Sequence, residues 1–268
     1  MERLMLGAIA GDVIGSVHEF IATKSVSFEL FVDASQFTDD TVLAVAVAEC
    51  LLDHAPYVDT FHRYVAEYPK AGYGLRFLKW AHSGSREPYN SFGNGSAMRV
   101  PAVGWAFNSL DDVLAEAARS SAVTHDHPEG IKGAQATAAA IFMARQGDSK
   151  RQIKGALERR FGYALSARLD DIRPHYRFDE SCQGTVPAAF IAFLESDDYE
   201  DAVRKAISLG GDADTLACIT GAVAEAHYGG VPSHILGPTL ERLDDRLRGV
   251  VMRFGERYGI QGWIQSGT

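Results

Sequence analysis

Apolar residues recur at intervals of three and four along most of the chain, with short breaks at glycine or proline. This spacing indicates helices with one buried face rather than strands. It predicts helices over residues 2–17, 41–53, 57–67, 73–82, 96–107, 111–123, 129–146, 149–161, 181–195, 199–208, 214–228 and 238–257. Gly72, Pro128 and Gly147 are among the residues that mark the boundaries.

One segment departs from the helical pattern. Residues 25–32 alternate apolar and polar side chains, which predicts a short strand. No low-complexity linker or internal repeat divides the rest of the chain. We therefore expect residues 1–268 to form a single compact all-α domain of orthogonally packed helices.

Composition narrows the classes of function. The 46% hydrophobic content indicates an ordered core, and the net charge of −9 argues against a general attraction to nucleic acid or anionic membranes. Cys50, Cys182 and Cys218 are too few and too scattered for a disulfide framework or a zinc motif, which favours the cytoplasm. The sequence has no apolar run of the roughly 20 residues that cross a bilayer. Without a heptad seam, a monomer is expected.

Two acidic motifs precede predicted helices. They are Thr38-Asp39-Asp40-Thr41 and Gly210-Gly211-Asp212-Ala213-Asp214-Thr215. If the fold brings these two helix starts together, they offer four carboxylates and threonine hydroxyls without sulfur or imidazole. Such oxygen ligands suit Mg²⁺, Mn²⁺ or Ca²⁺ better than Zn²⁺ or Cu²⁺.

Helix capping is the alternative explanation for these motifs. Asp and Thr are preferred at helix N-termini, where carboxylates also interact favourably with the helix dipole, so one Asp in each motif needs no other role. The second Asp is harder to explain by capping, because neighbouring carboxylates repel each other unless they are solvated or bound to a cation. The residue types alone leave both interpretations open.

Three further clusters are candidates for a pocket. Residues 11–20 form a glycine-interrupted helix that presents His18 and Glu19, or simply a helix end with ordinary polar residues. Residues 90–99 form a glycine-rich loop whose backbone amides could hold a phosphate, although a plain turn explains them equally well. In residues 124–128, a pair of histidines is weak evidence for zinc, so a polar lining role for His125 is favoured over metal binding, and a turn with surface histidines stays open.

The order of these motifs along the chain resembles the ADP-ribosylglycohydrolase family, which includes the dinitrogenase reductase activating glycohydrolases. The resemblance covers residues 4–232. It is carried by Gly11-Asp12, Gly15, Glu19, Phe37-Thr38-Asp39-Asp40-Thr41, Gly93-Asn94-Gly95-Ser96-Ala97-Met98-Arg99, Thr124-His125 and Gly210-Gly211-Asp212-Ala213-Asp214-Thr215. Five motifs in the family's order are far more specific than any one of them.

This resemblance implies an all-α domain with a central cleft that holds two divalent cations, Mg²⁺ or Mn²⁺. It implies a hydrolase that attacks C1 of the distal ribose and releases ADP-ribose, with Glu19 or Asp39 accepting a proton from the water. The implied metal ligands are Thr38, Asp39, Asp40, Asp212, Asp214 and Thr215. The residues implied to line the ADP-ribose pocket are Gly93, Asn94, Gly95, Ser96, Ala97, Met98 and His125.

The acceptor is less well defined by the resemblance. Family members act on arginine-linked, serine-linked, acetylated or other ADP-ribosyl groups, and we rank an arginine-linked protein first. The basic stretch over residues 150–177 is either a solvated face or a phosphate-binding surface, which keeps nucleic-acid-linked ADP-ribose open. We expect selectivity to come from residues 20–37, residues 68–90 and the stretch near Arg173. The alternative to a hydrolase is a module that binds ADP-ribose without turnover.

Overall fold

The computed structural model of this protein describes residues 5–259. Within them the chain forms fifteen α-helices and one 3₁₀ turn (Ser16–His18), without a named strand. The helices are α1 (Leu6–Gly15), α2 (Asp39–Asp53), α3 (Tyr57–Glu67), α4 (Leu75–Ser83), α5 (Gly95–Met98), α6 (Pro101–Ala106), α7 (Leu110–Ala122), α8 (Pro128–Arg145), α9 (Lys150–Phe161), α10 (Leu169–Ile172), α11 (Cys182–Leu194), α12 (Tyr199–Ile207), α13 (Ala213–Tyr228), α14 (Ser233–Arg242) and α15 (Asp245–Tyr258).

The all-α prediction is confirmed. The bounds of α3 are those predicted, and α7, α8 and α9 differ from prediction by one residue at each end or less. Residues 2–4 of the first predicted helix lie outside the described residues. The predicted strand over residues 25–32 is wrong, because that segment is irregular and none of its residues is buried. The short helix α10 was not predicted.

Two predicted helices are each divided in the structure. The helix expected over residues 96–107 stops at Met98 and restarts at Pro101, because proline lacks an N–H and is favoured at the first position of a helix. The helix expected over residues 238–257 is broken at Leu243, whose backbone is extended. Asp244 then caps α15 by accepting a hydrogen bond from the Leu247 amide at 2.8 Å.

Helix α13 lies at the centre of the fold, and its first fourteen residues are all buried. Gly7, Gly11 and Gly15 face it from α1. A Cβ atom on Gly11 would lie 2.1 Å from the Ala217 carbonyl oxygen, and one on Gly15 would lie 2.5 Å from the Asp214 Cα. Because only glycine permits this approach, the two backbones pack directly together and place Asp12 beside the start of α13.

Helix α13 also supplies the cap that α1 lacks. The N-cap residue of α1, Met5, makes no side-chain cap hydrogen bond to the helix. The Glu225 carboxylate accepts hydrogen bonds from the Leu6 and Gly7 amides instead, at 3.1 and 2.9 Å. These bonds satisfy two of the free amides at the helix start and fix the register between the two helices.

The buried apolar residues form one continuous core from Met5 to Phe254. The expectation of one domain over residues 1–268 stays a prediction. Within residues 5–259, no helix combines the length and the apolar character needed to cross a bilayer.

Candidate active site

The starts of α2 and α13 meet at one cavity of about 510 Å³. Asp39 and Asp40 line it from α2, and Asp214 and Thr215 line it from α13. The Thr215 hydroxyl donates a hydrogen bond to Asp40 Oδ2 at 3.3 Å. The structure therefore brings together two motifs that are separated by about 170 residues in the sequence.

Helix capping explains the position of Thr38 before α2 but not that of Asp212 before α13. Thr38 is the N-cap of α2, where its hydroxyl accepts a hydrogen bond from the Asp40 amide at 3.3 Å. Asp212 occupies the corresponding position before α13, but its side chain makes no cap hydrogen bond to that helix. Its Oδ2 instead accepts from Asn94 Nδ2 at 2.7 Å. Asp212 also lines the cavity, so its position before α13 is not explained by capping.

Asp12 of α1 holds the first acidic motif in place. Its Oδ2 accepts hydrogen bonds from the Thr38 and Thr41 amides at 2.9 and 3.1 Å. The Thr38 hydroxyl donates to Oδ1 at 2.7 Å, and the Thr41 hydroxyl donates to Oδ2. Burial raises the pKa of Asp12, and these four bonds counteract that rise by stabilising the carboxylate.

No role was assigned to Asp12 in the sequence analysis. Its partners lie 26 and 29 residues further along the chain, so no local pattern could reveal them. A signal was nevertheless present, because an aspartate inside the apolar run from Leu6 to Ile14 must find hydrogen-bond donors when that helix is buried.

Glu19 joins the second acidic motif. One carboxylate oxygen each from Glu19, Asp212 and Asp214 lies within 4.8 Å of the others. With Asp39 and Asp40, these are five of the six acidic residues that line the cavity, and the sixth is Glu180. We call these five residues the acidic cluster. The ion pairs within residues 5–259 involve other carboxylates, such as Glu49 and Asp59.

The surroundings of the acidic cluster disfavour negative charge. Burial, followed by repulsion from neighbouring carboxylates, raises the pKa values of Asp39, Asp40 and Asp214 well above the usual range. Burial, followed by the charges of Asp212 and Asp12, raises the pKa of Glu19 to about 7. A bound cation would remove this repulsion.

The donor set fits a hard divalent cation. Asp40 Oδ1 is buried and has no hydrogen-bond partner among the described residues. Buried polar atoms are normally satisfied, so an oxygen of this kind indicates a missing partner. Carboxylate and hydroxyl oxygens are the ligands that Mg²⁺ and Mn²⁺ prefer. The acidic cluster could therefore bind metal.

Another part of the cavity wall is formed by the glycine-rich loop and His125. Gly93, Asn94, Gly95, Met98 and His125 all line the cavity. A Cβ atom on Gly95 would lie 3.3 Å from His125 Nε2, and one on Gly93 would lie 3.5 Å from it. The loop thus fits closely around the imidazole edge.

Two residues predicted to line the pocket, Ser96 and Ala97, and the second histidine of the pair, His127, have other surroundings. Ser96 and Ala97 are fully buried, and the Ser96 hydroxyl donates to the Gly130 carbonyl oxygen at 2.8 Å. His127 caps α8, because its Nδ1 accepts a hydrogen bond from the Glu129 amide at 3.1 Å. The second histidine is therefore accounted for by helix capping.

Comparison with known proteins shows which family has this fold and this sequence pattern. The family model described as ADP-ribosylglycohydrolase matches residues 2–262. The chain belongs to this family. The glycohydrolase is 29% identical to human ADP-ribosylhydrolase ARH3 over 306 aligned residues, covering 84% of each chain. It is 25% identical to ADP-ribosylarginine hydrolase Tri1 of Pseudomonas putida strain GB-1 over 260 residues, covering 84% of this chain and 69% of Tri1.

A solved structure agrees with these sequence relatives. A chain of an "ADP-ribosylglycohydrolase-related protein complex" superposes with a TM-score of 0.71 at 26% sequence identity, covering 96% of this chain and 97% of the other. The family resemblance and the fold are thereby confirmed, and the glycohydrolase is an enzyme that hydrolyses glycosidic bonds.

The loops around the cleft of the glycohydrolase differ in part from expectation. Residues 68–90 contribute several lining residues, as predicted, including Gly72, Arg76 and Tyr89. Residues 20–37 contribute none of the cavity's described lining residues. Near the third segment, Phe178 and Glu180 line the cavity, whereas Arg173 donates to the Ser208 hydroxyl and pairs with Asp170.

The cationic side chains of the cavity are therefore not those of the basic stretch. Arg76 and Arg99 line it, and the Arg76 guanidinium carbon lies 5.1 Å from the centre of the Tyr89 ring. From the sequence, Arg99 is expected to pair with a phosphate or with a carboxylate, and Arg76 is not singled out. Neither residue stands in a basic cluster in the sequence, so charge patterning could not identify them.

Proposed function

We propose that this protein is a metal-dependent ADP-ribosyl hydrolase that breaks the bond between C1 of the distal ribose and its acceptor, releasing ADP-ribose. The observation that carries the proposal is the acidic cluster: its five carboxylates line one cavity, which Glu180 also lines, and one buried oxygen, Asp40 Oδ1, has no partner among the described residues. Family membership supplies the class of reaction.

Two divalent cations, Mg²⁺ or Mn²⁺, are proposed for the cleft. Their ligands are Thr38, Asp39, Asp40, Asp212, Asp214 and Thr215. Glu19 is a further candidate ligand, since its carboxylate lies with those of Asp212 and Asp214. When bound, such cations would orient the ribose hydroxyls and increase the acidity of a water molecule.

The chain's own carboxylates would move the proton. The water oxygen forms a bond to C1 while a carboxylate accepts the water's proton, and the bond from C1 to the acceptor breaks with its electron pair leaving on the acceptor. The leaving group then takes up a proton. Glu19 suits the role of base, because its carboxylate lines the cavity beside those of Asp212 and Asp214. Asp39, on the same cavity, is the second candidate.

Separate substitutions distinguish the two bases. We measure kcat of Glu19→Gln and of Asp39→Asn with saturating metal. The variant that lacks the base should show a kcat about 10²- to 10⁴-fold below that of the wild type. Glu29→Gln is a matched control, because Glu29 is an exposed glutamate on the segment that follows Glu19. Full activity in both cleft variants would contradict the assignment of either carboxylate as base.

An arginine-linked protein is the proposed acceptor. The relative Tri1 is named for ADP-ribosylarginine, which supports this ranking. Nucleic-acid-linked ADP-ribose receives less support, since Arg173 of the basic stretch bonds Ser208 and Asp170 and does not line the cavity.

A substrate panel tests the acceptor and the metal dependence together. Release of ADP-ribose is measured from arginine-, serine-, acetyl- and nucleobase-linked substrates with Mg²⁺, with Mn²⁺ and after chelation. We expect metal-dependent release from the arginine-linked substrate. Release from another linkage alone would replace the acceptor. Metal-dependent binding of ADP-ribose without cleavage of any linkage would instead establish a non-catalytic binding module.

A further inference from the structure

His125 lies at the end of a hydrogen-bonded chain that begins at a buried arginine. Arg99 Nη2 donates a hydrogen bond to Thr124 Oγ1 at 2.9 Å, and Thr124 Oγ1 lies 2.8 Å from His125 Nδ1. Arg99 and Thr124 are fully buried, and His125 is 5% exposed. The other ring nitrogen, Nε2, lies beside Gly93 and Gly95 at the cavity wall.

The direction of each hydrogen bond follows from the groups involved. A guanidinium can only donate, so Thr124 Oγ1 accepts from Arg99. The Thr124 hydroxyl is fully buried, so its single hydrogen requires an acceptor, and among the described residues its remaining hydrogen-bond partner is His125 Nδ1. Nδ1 is then the acceptor. A neutral imidazole with an accepting Nδ1 carries its hydrogen on Nε2.

The charge states agree with this direction. Burial, followed by the charges of Arg99 and Arg76, lowers the pKa of His125 well below the usual range, so the ring is neutral near pH 7. Burial also lowers the pKa of Arg99, to about 10, which leaves the guanidinium protonated at the same pH. Its role as donor is therefore constant across the physiological range.

We propose that Arg99 and Thr124 are positioning residues that fix His125 as the Nε2–H tautomer, so that Nε2 donates a hydrogen bond to an oxygen atom of ADP-ribose in the cavity. The identity of the ligand rests on the proposed function. The tautomer does not, because it follows from contacts within the protein.

Arg99 is held in place by more than Thr124. Its Nη2 also donates to the Ser120 and Ser121 carbonyl oxygens at the end of α7, at 2.9 and 3.2 Å. A cation stabilises that end of a helix and satisfies its free carbonyl groups. The guanidinium carbon lies 4.7 Å from the centre of the Phe61 ring. Substituting Arg99 would disturb these structural contacts as well, so Thr124 is the better residue to test.

The first experiment reads the tautomer directly. The ¹⁵N shifts of labelled histidine distinguish Nε2–H from Nδ1–H in the ligand-free protein, and loss of a signal in His125→Asn identifies His125. We expect Nε2–H in the wild type and in Thr124→Ser, and a loss of this preference in Thr124→Val. An Nδ1–H or doubly protonated His125 in the wild type, or an unchanged tautomer in a folded Thr124→Val, would overturn the proposal.

The second experiment asks whether Thr124 acts through His125. The Kd of ADP-ribose is measured by calorimetry for Thr124→Val, His125→Ala and the double variant. Loss of one donated hydrogen bond to the ligand predicts a roughly tenfold weaker Kd for Thr124→Val in the wild-type background. In the His125→Ala background we expect almost no further weakening, because the two changes remove the same interaction.

The remaining outcomes are also decisive. Equal weakening by Thr124→Val in both backgrounds would show a merely structural role and overturn the proposal, and Thr124→Ser should restore the wild-type Kd. The wild type could show the Nε2–H tautomer and yet not bind ADP-ribose. That result would contradict both ADP-ribose as the ligand and the proposed function, while the tautomer assignment would stand.

Discussion

The two ends of α2 carry carboxylates in opposite electrostatic surroundings. Near its end, Glu49 accepts hydrogen bonds from Arg63 at 2.7 Å and from Arg246 at 2.9 Å. Although burial opposes ionisation, these bonds lower the pKa of Glu49 to about 2. At its start, Asp39 and Asp40 have carboxylates as neighbours, and their pKa values are raised.

This difference separates carboxylates that hold the fold together from carboxylates that are available to a ligand. Glu49 has its cations within the protein, and Asp12 has four hydrogen-bond donors. Among the described residues, the carboxylates of the acidic cluster have no ion pairs like those of Glu49 and fewer hydrogen-bond donors than Asp12. In the metal-free protein, their mutual repulsion therefore works against folding. Substitutions in the two regions should therefore change stability with opposite signs.

The largest effect is expected for Asp214→Asn. Removing a cluster carboxylate should lower the hydrolysis rate by at least about a hundredfold. In chelated protein the same change relieves repulsion and should raise the free energy of unfolding by about 1 kcal/mol, which corresponds to a Tm increase of about 2–4 °C. Activity assays and thermal melts with chelator measure the two effects.

The matched control for this prediction is Asp171→Asn, because Asp171 is an exposed aspartate in the first turn of α10. It should leave both the rate and the Tm unchanged. A cluster variant that keeps full activity, or one that destabilises the chelated protein, would remove the distinction between the two kinds of carboxylate.

Asp12→Asn should act in the opposite direction on stability. If the carbonyl oxygen of the amide takes the place of Oδ2, its NH2 group takes the place of Oδ1 and faces the Thr38 hydroxyl, which can then no longer donate there. The remaining hydrogen bonds lose their charged acceptor. We expect a loss of about 2–3 kcal/mol in the free energy of unfolding, measured by urea denaturation, in chelated and in metal-loaded protein alike. Unchanged stability would show that the Asp12 hydrogen bonds do not anchor the start of α2.

A smaller effect is expected for Glu49→Gln, with a characteristic pH dependence. The folded protein keeps Glu49 ionised down to a pKa of about 2, whereas the ordinary value is 4.5. The stabilisation is therefore complete above about pH 5 and disappears as the pH falls towards 2. At pH 7 the variant should lose about 1–2 kcal/mol in the free energy of unfolding.

Urea denaturation of the wild type and Glu49→Gln between pH 3 and pH 7 tests the direction of this pH dependence. The difference between the two proteins should shrink as the pH falls. Glu67→Gln is the matched control, since Glu67 meets the same two arginines at 3.5 and 3.6 Å and is 37% exposed. Its effect should be smaller, as exposed pairs contribute little. A constant difference across the pH range would contradict the assigned role of Glu49.

The elements that sequence analysis predicted well depend on local information. Apolar spacing and capping chemistry place α3 and α7 to within one residue, and the acidic motifs stand at helix starts that local pattern alone identifies. The break at Pro101 and the cap at Asp244 were also local signals, but the apolar periodicity continued across both and concealed them.

The parts that were missed depend on contacts between distant segments. Asp12 matters because Thr38 and Thr41 pack against it, and Arg99 matters because the end of α7 and Thr124 lie beside it. Neither neighbourhood can be inferred from residue spacing. Similarly, charge patterning pointed to the basic stretch near Arg173, whereas the cavity takes its cations from single arginines brought in by the fold.

The direct contact between α1 and α13 has a consequence for biosynthesis. The Leu6 amide and the Glu225 carboxylate that join these helices are 219 residues apart in the sequence. Closing so long a loop costs conformational entropy, and non-local contacts of this kind form slowly. A ribosome-bound chain that ends before residue 213 already carries Asp39 and Asp40 but lacks the helix against which they assemble. We expect the cleft to become ordered only after α13 has left the exit tunnel.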